Sequence, residues 1–218
     1  LLAEYLRQLL EAHRTPEVTV AWQGGEPTLM GLPFFRRAVE LVDALRRPGQ
    51  VIEHTIQTNA TLIDDGWAAF LAEKDFLVGV SVDGPREIHD ANRVDKGGKP
   101  TFHRVMAGLA KLRAHGVRWN AMTTVHHANE DDGLRVYRFL RDELGTDFIQ
   151  FIPIVERPSP GGIPEGYEVT DRSVSPAGYG RFLVEVFDEW VRRDVGTVYV
   201  QMFDSTLASF VGAPGALC

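Results

Sequence analysis

Cysteine is almost missing from this chain: there is one thiol in 218 residues, at the last position, Cys218. That excludes an internal disulfide framework and any zinc or iron–sulfur site assembled from several thiolates of this chain. Avoidance of disulfides fits a reducing compartment, the cytoplasm. Long apolar runs are missing too. None approaches the roughly 18 residues needed to cross a bilayer, so no membrane span is expected. A basic surplus is absent: 23 Lys and Arg stand against 30 Asp and Glu, a net charge of −7. A phosphate-binding face needs a basic patch, so nucleic acid is not an expected partner. No signal peptide is expected, since residues 1–14 (LLAEYLRQLLEAHR) read as an amphipathic helix already under way. There is no internal repeat or low-complexity tract.

What is present is the composition of an ordinary globular protein, 44% hydrophobic and 24% charged, long enough for one sizeable core. Helical periodicity covers 1–13, 33–46, 64–74, 101–115, 130–143 and 176–193. In the second of these, Phe34, Phe35, Ala38, Val39, Leu41, Val42 and Leu45 make one apolar face between Pro33 and Pro48-Gly49. β-prone runs lie between the helices at 17–22, 53–58, 76–82, 118–125 and 147–152, and a sixth at 197–203 follows the last helix. Strands alternating with helices imply βαβ units, a parallel sheet and right-handed crossovers. Five or six repeats suit an open or partial barrel better than a complete eight-fold one. One long loop, 156–176, is rich in Pro, Gly and Ser, and loops of that length are usually functional or mobile.

In parallel α/β folds, ligands bind at the carboxyl ends of the strands, and the unusual residues of this chain collect there. Gln23-Gly24-Gly25-Glu26-Pro27 follows the first run, Gln57-Thr58-Asn59 ends the second, and Ser81-Val82-Asp83-Gly84-Pro85 ends the third. Thr124, His126 and His127 follow from the fourth, Gln150 and Pro153 from the fifth, Gln201 and Asp204 from the sixth. Six clusters on one predicted face suggest a polar pocket. Each also has a plainer local reading. Paired glycines let a backbone approach a ligand, or make a strand-to-helix turn with Glu26 an exposed acid; they are no phosphate loop, because no Gly-Lys-Ser/Thr follows. Asp83-Gly84-Pro85 can be a turn and Ser81 a cap. Arg93 can fork onto a carboxylate or sit in a surface ion pair. His126 and His127, adjacent on a strand, would face opposite sides and lack the spacing of a metal site. Asp204 reads equally as a functional acid or a helix N-cap.

Taken in order, QGGEP, QTN, SVDGP-x3-HD-x2-R and QMFD-x13-C resemble the radical S-adenosylmethionine (SAM) superfamily and, more narrowly, the anaerobic sulfatase-maturating enzymes with a SPASM-type C-terminal extension. The resemblance covers essentially the whole chain. It implies an α/β fold, a partial (β/α)6 TIM-like barrel. It also implies a CxxxCxxC loop whose [4Fe–4S] cluster chelates the amino and carboxylate groups of SAM. One electron, from a reductant such as flavodoxin or ferredoxin, cleaves SAM to methionine and a 5′-deoxyadenosyl radical. That radical abstracts hydrogen from the Cβ of a Cys or Ser of a sulfatase polypeptide, on the way to Cα-formylglycine. By the same resemblance Gly24, Gly25 and Glu26 hold the SAM amino group, and Ser81 and Arg93 bind its carboxylate end. Ile154 makes a backbone contact to adenine, and Asp204 deprotonates the substrate. Gln57 and Asn59 line the substrate pocket, and Cys218 is the first ligand of an auxiliary cluster.

The chain departs from the family pattern in having no CxxxCxxC and no first barrel strand. The expectation is therefore a fragment, inactive alone: residues 1–196 a radical SAM barrel core lacking its first strand, and 197–218 the start of the SPASM region. Two alternatives stand beside it: a SPASM-type maturase of another peptide, and a non-catalytic peptide-binding barrel.

Overall fold

The structure, a computed structural model, describes residues 1–159 and 166–213. Its elements in chain order are α1 (Leu2–Ala12), β1 (Glu17–Trp22), α2 (Leu32–Leu45), β2 (Val51–Thr58), α3 (Asp65–Glu73), β3 (Leu77–Ser81), α4 (Arg86–Asn92) and α5 (Phe102–Ala114). Then come β4 (Arg118–Val125), α6 (Gly133–Arg138), which runs on into a π-helical turn at Phe139–Glu143, β5 (Phe148–Pro153), α7 (Pro176–Arg193), β6 (Tyr199–Val200) and α8 (Gln201–Phe210). The chain forms two compact units, one of residues 1–80 with 103–119, the other of residues 81–102 with 120 onward.

In the first unit β1, β2 and β3 pair in parallel, in register from Glu17↔Val51 to Trp22↔Ile56 and from Thr55↔Leu77 to Thr58↔Val80. The alternation of EVTVAW turns Val18 and Val20 toward Leu6 and Leu10 of α1 and Val42 of α2. Burying a leucine completely stabilises by about 1.5–3 kcal/mol, and Leu6 and Leu10 are both fully buried. β3 (LVGVS) is instead buried from Val78 to Ser81, as expected for a parallel strand covered on both faces. Asp64 caps α3, accepting from the Trp67 amide at 2.8 Å. Gly108 in α5 lies so close to the Ala60 carbonyl that a Cβ there would sit 2.1 Å from its oxygen.

In the second unit β4, β5 and β6 pair in parallel, from Ala121↔Ile149 to Val125↔Pro153 and at Phe148↔Tyr199 and Ile149↔Val200. Residues just after β3 run beside β4: the Val82 amide donates to the Met122 carbonyl at 3.1 Å, and Thr123 Oγ1 donates to the Val82 carbonyl at 2.7 Å. Buried Glu130 accepts from the Ser175 amide at 2.8 Å, and Ser175 caps α7 by accepting from the Gly178 amide at 2.9 Å. The long loop is tied at its ends, with the Val174 amide donating to the Ile154 carbonyl at 3.1 Å. Its residues 160–165 lie outside the described part.

All five expected strands from 17 to 152 form, and every pairing between these strands within a unit is parallel. The sixth run does not behave as expected. Only Tyr199–Val200 is strand, and Gln201, Met202 and Phe203 already belong to α8. The Phe203 ring packs 5.3 Å from both Phe187 and Trp190, and this burial outweighs the β preference of a β-branched and aromatic run. α4 lies within the stretch read as a turn and a loose motif. It begins after Pro85, so Ser81 caps nothing; the N-cap is Pro85 itself. Residues 197–213 belong to the second unit.

Candidate functional site

Each unit carries one carboxylate hub where its parallel strands end. In the first, the chain leaves β1 through Gly24 (φ 99°) and Gly25 (φ 53°), left-handed conformations that favour glycine. A Cβ at either would meet nothing within 4 Å, so the requirement comes from the backbone and not from crowding. Glu26 then caps a 3-10 turn at Pro27–Met30. Its Oε1 accepts from the Thr28 amide at 3.0 Å and Thr28 Oγ1 at 2.5 Å. The same oxygen accepts from Thr58 Oγ1 on β2 at 2.7 Å, and Oε2 accepts from the Asn59 amide at 2.8 Å. Asn59 Oδ1 in turn accepts from the Thr61 amide and hydroxyl, at 3.0 and 2.7 Å. Glu26 is thus no exposed acid. Its side chain ties the β1 loop to the end of β2, and what the loop offers a ligand is the backbone of Gly24 and Gly25. Gln57 is half-buried on the strand face opposite buried Ile56 and Thr58.

The hub of the second unit is Asp83, with 1% of its side chain exposed. Arg93, released from the end of α4, meets it with two parallel bonds, Nε to Oδ2 at 2.6 Å and Nη2 to Oδ1 at 2.9 Å. The Thr124 amide and hydroxyl, at the end of β4, donate to Oδ1 at 2.9 and 2.8 Å. Burial pushes the Asp83 carboxyl up, but the Arg93 charge and these hydrogen bonds outweigh it and hold it below the usual range. Nη2 also lies 3.4 Å from Thr124 Oγ1. Nη1 has no hydrogen bond among the described residues, and a quarter of the Arg93 side chain is exposed.

The rest of the HD-x2-R motif holds this hub in place. Thr101 Oγ1 gives its only proton to the Arg93 carbonyl at 2.8 Å. His89 Nε2, 3.2 Å from Thr101 Oγ1, must therefore be the protonated nitrogen, which leaves Nδ1 to accept from the Asp83 amide at 3.4 Å. His89 is fully buried, and burial, the largest cause, pushes its pKa down to about 4. Asp90 Oδ1 accepts from the Thr101 and Phe102 amides at 3.0 and 2.9 Å and so caps α5.

Ser81, the last residue of β3, is buried. The Ile154 amide donates to the Val125 carbonyl at 2.8 Å, and its carbonyl accepts from Val174, so only the carbonyl's second lone pair is left for a ligand. Asp204 neither ends a strand nor caps a helix. It is the fourth residue of α8, whose N-cap is Val200. It is half-buried, its Oδ2 has no partner among the described residues, and burial raises its pKa. His126 and His127 lie beyond β4 rather than on it. His126 is buried, its amide donating to Asn129 Oδ1 at 2.8 Å, while His127 is exposed. Cys218 lies outside the described residues, among which no group of three or more His, Cys, Asp or Glu could hold a metal ion.

Sequence reasoning placed Asp83, Thr58 and Thr124 at the strand ends without giving them a role, and it missed Thr101 altogether. An acid ten residues before Arg93 was the available signal for the first. The hydroxyls carried none, because their roles depend on strand register.

Parallel strands alternating with helices, with polar hubs at the strand ends, define an α/β fold of the partial TIM-like barrel class. The chain belongs to the Radical SAM superfamily, whose sequence profile matches residues 1–140. It is similar to a serine-type anaerobic sulfatase-maturating enzyme of Bacteroides thetaiotaomicron, with 42% identity over all of this chain and 54% of the relative. It is also similar to a cysteine-type enzyme of Clostridium novyi, with 34% identity over 89% of this chain and 51% of the relative. Solved structures of native anSMEcpe with bound AdoMet, alone and with the Kp18Cys peptide, superpose on all of this chain with a TM-score of 0.90 at 32% identity, and it covers 58% and 59% of theirs. The chain spans about half the length of the curated relatives it matches. No helix among the described residues is long and apolar enough to cross a membrane.

Proposed function

We propose that this chain is the SAM- and substrate-binding core of an anaerobic sulfatase-maturating enzyme that oxidises a Cys or Ser of a sulfatase polypeptide to Cα-formylglycine. The observation that carries the reading is 42% identity along the whole chain to a serine-type enzyme of that activity. Each hub, taken by itself, offers groups suited to a part of SAM. A Gly24-Gly25 backbone in open space can meet the amino group. Arg93, with Nη1 uncommitted, can meet the carboxylate beside Ser81, and Ile154 can meet the adenine through its carbonyl. When bound and cleaved by one electron, SAM supplies a radical that abstracts hydrogen. The donor set does not fit an iron–sulfur cluster: a single thiol cannot replace the three or four thiolates required. Cluster ligation thus lies with residues outside this chain, with Cys218 proposed to join an auxiliary cluster there, and no step is derived through it. On this reading residues 1–196 are the barrel core and 197–218 open the auxiliary region. A flavodoxin or ferredoxin supplies the electron, and the setting is the reducing cytoplasm.

Within this reading Gln57 and Asn59 line the substrate pocket and Asp204 takes the substrate proton. A carboxylate whose pKa is raised by burial is a stronger base than a solvated one. The test is anaerobic turnover of a sulfatase peptide by the reconstituted full-length protein, read by mass spectrometry. Formylglycine should form, and Asp204→Asn should abolish it while SAM binding persists. An unmodified peptide would overturn the reading. Normal product from the Asn variant would remove Asp204 from it.

A further inference from the structure

A guanidinium has two usable edges, and in Arg93 they are treated differently. The side edge, Nε with Nη2, is closed by the two parallel bonds to Asp83. The end edge keeps Nη1 without a partner among the described residues and an Nη2 proton directed at Thr124 Oγ1 over a long 3.4 Å. Five N–H donors in a rigid fork cannot be satisfied by one carboxylate. Asp83 itself is pinned by Thr124 from β4 and by His89 from α4.

We propose that Asp83 is a positioning residue. It clamps Arg93 by its side edge so that the end edge is presented, already ordered, to a carboxylate on the ligand. The proposal rests on the reading that Arg93 meets the carboxylate end of SAM. It also predicts a sign that simple charge counting reverses. Counted as a charge alone, Asp83 repels an anionic ligand, and removing it should tighten binding. As a clamp, its removal frees a long flexible side chain that must be re-ordered on binding, and affinity falls.

The experiment is calorimetry on the anaerobically reconstituted full-length protein with two probes, S-adenosylhomocysteine and its decarboxylated analogue. Asp83→Asn should weaken S-adenosylhomocysteine about tenfold, the equivalent of about 1.4 kcal/mol, and leave the decarboxylated analogue unchanged. Arg93→Lys keeps the charge opposite Asp83 but loses the fork, and should weaken S-adenosylhomocysteine as well. In that background, Asp83→Asn should add nothing. If Arg93→Lys leaves S-adenosylhomocysteine binding unchanged, the carboxylate reading of Arg93 fails, and this proposal with it. If Arg93→Lys weakens binding but Asp83→Asn leaves it unchanged or tighter, the reading stands and the clamp is wrong. Equal weakening of both probes makes Asp83 merely structural and also overturns the clamp. Should Asp83→Asn not fold, Asp83→Glu, which keeps the charge but moves the carboxylate off the side edge of Arg93, gives the same decision: selective weakening of S-adenosylhomocysteine supports the clamp, and no selectivity overturns it.

Discussion

Glu26 and Asp83 are both carboxylates drawn inward at the ends of parallel strands, one in each unit, but they are held by different chemistry. Glu26 is met by neutral donors only: two hydroxyls and two amides, all delivered by its own turn and the neighbouring strand end. Asp83 is met by a guanidinium and by Thr124. Neutral donors match the acid and leave nothing over, so the first hub fixes a loop and its ligand chemistry falls to the glycine backbone. A guanidinium brings more donors than its partner can take, so the second hub leaves side-chain chemistry to spare. The charge also makes the second hub costlier to break, and that difference can be measured.

The largest effect is expected from Arg93→Ala. Removing one partner of a buried ion pair strands the other, at a cost of about 3–5 kcal/mol. Asp83 is almost wholly enclosed while Arg93 is a quarter exposed, which points to the lower half of that range. Denaturant unfolding of the full-length protein, followed by a probe in this region, measures it. A loss under about 1 kcal/mol, the size of an exposed pair, would erase the contrast between the hubs.

Acid should break the second hub next. His89 is neutral in the folded protein, with its pKa pushed from 6.5 to about 4. Between those values the unfolded chain binds the proton and the folded one does not, so stability falls as pH falls through that window. The full difference corresponds to on the order of 3 kcal/mol. Burial lowers His54 and His126 as well, so the share of His89 is read from His89→Gln, which keeps one donor and one acceptor. Stability of that variant should fall less steeply between pH 6.5 and 4. An unchanged slope would mean that His89 titrates freely and is not part of the hub.

How much of this was legible in advance differs between the hubs for physical reasons. Alternation in EVTVAW and the apolar run FLVGVSV announce strands because period and composition are local. TVYVQMF announces one too, and misleads after Val200, because the burial of Phe203 against Phe187 and Trp190 is a tertiary fact. Helix α4 was hidden behind Asp83-Gly84-Pro85, a turn signal that here leads straight into a helix. QGGEP and QTN could be located from spacing. The inward turn of Glu26 could not, since it needs the register Trp22↔Ile56 that brings the end of β2 beside the β1 loop. Family resemblance singled out Ser81 and Arg93, whereas Asp83 and Thr124 were located at strand ends and their roles emerge only from the fold.

Gly108→Ala probes the backbone support of the first hub. In an open helix this change stabilises by up to about 1 kcal/mol. Here the new Cβ would sit 2.1 Å from the Ala60 oxygen, a backbone atom. Ala60 is itself held at φ 56° just after Asn59, and it has little room to yield. Overpacking of this kind costs about 1–3 kcal/mol, so the net sign should reverse to destabilisation of up to about 2 kcal/mol. The thermal unfolding midpoint of the variant checks it. Stabilisation would show that the turn beyond QTN is slack and that Glu26 alone orders it.

The smallest effect should come from Glu26→Gln, and it tests the comparison most directly. The substitution keeps shape and one oxygen, which can still accept from Thr28 and Thr58. It replaces the other oxygen by an NH2 that faces the Asn59 amide, donor against donor. One neutral hydrogen bond is lost and one amide is left unsatisfied, a cost of about 1–2 kcal/mol. No buried cation is stranded, because none among the described residues touches Glu26. The loss should therefore be clearly smaller than for Arg93→Ala and nearly independent of salt, whereas a hub built on charge responds to screening to the extent that it is exposed. Unfolding free energies of both variants, measured at low and high salt, decide the matter. A Glu26→Gln loss as large as that of Arg93→Ala would mean that the Glu26 charge, not its geometry, organises the first hub, and the distinction between a loop-fixing acid and a ligand-presenting one would fall.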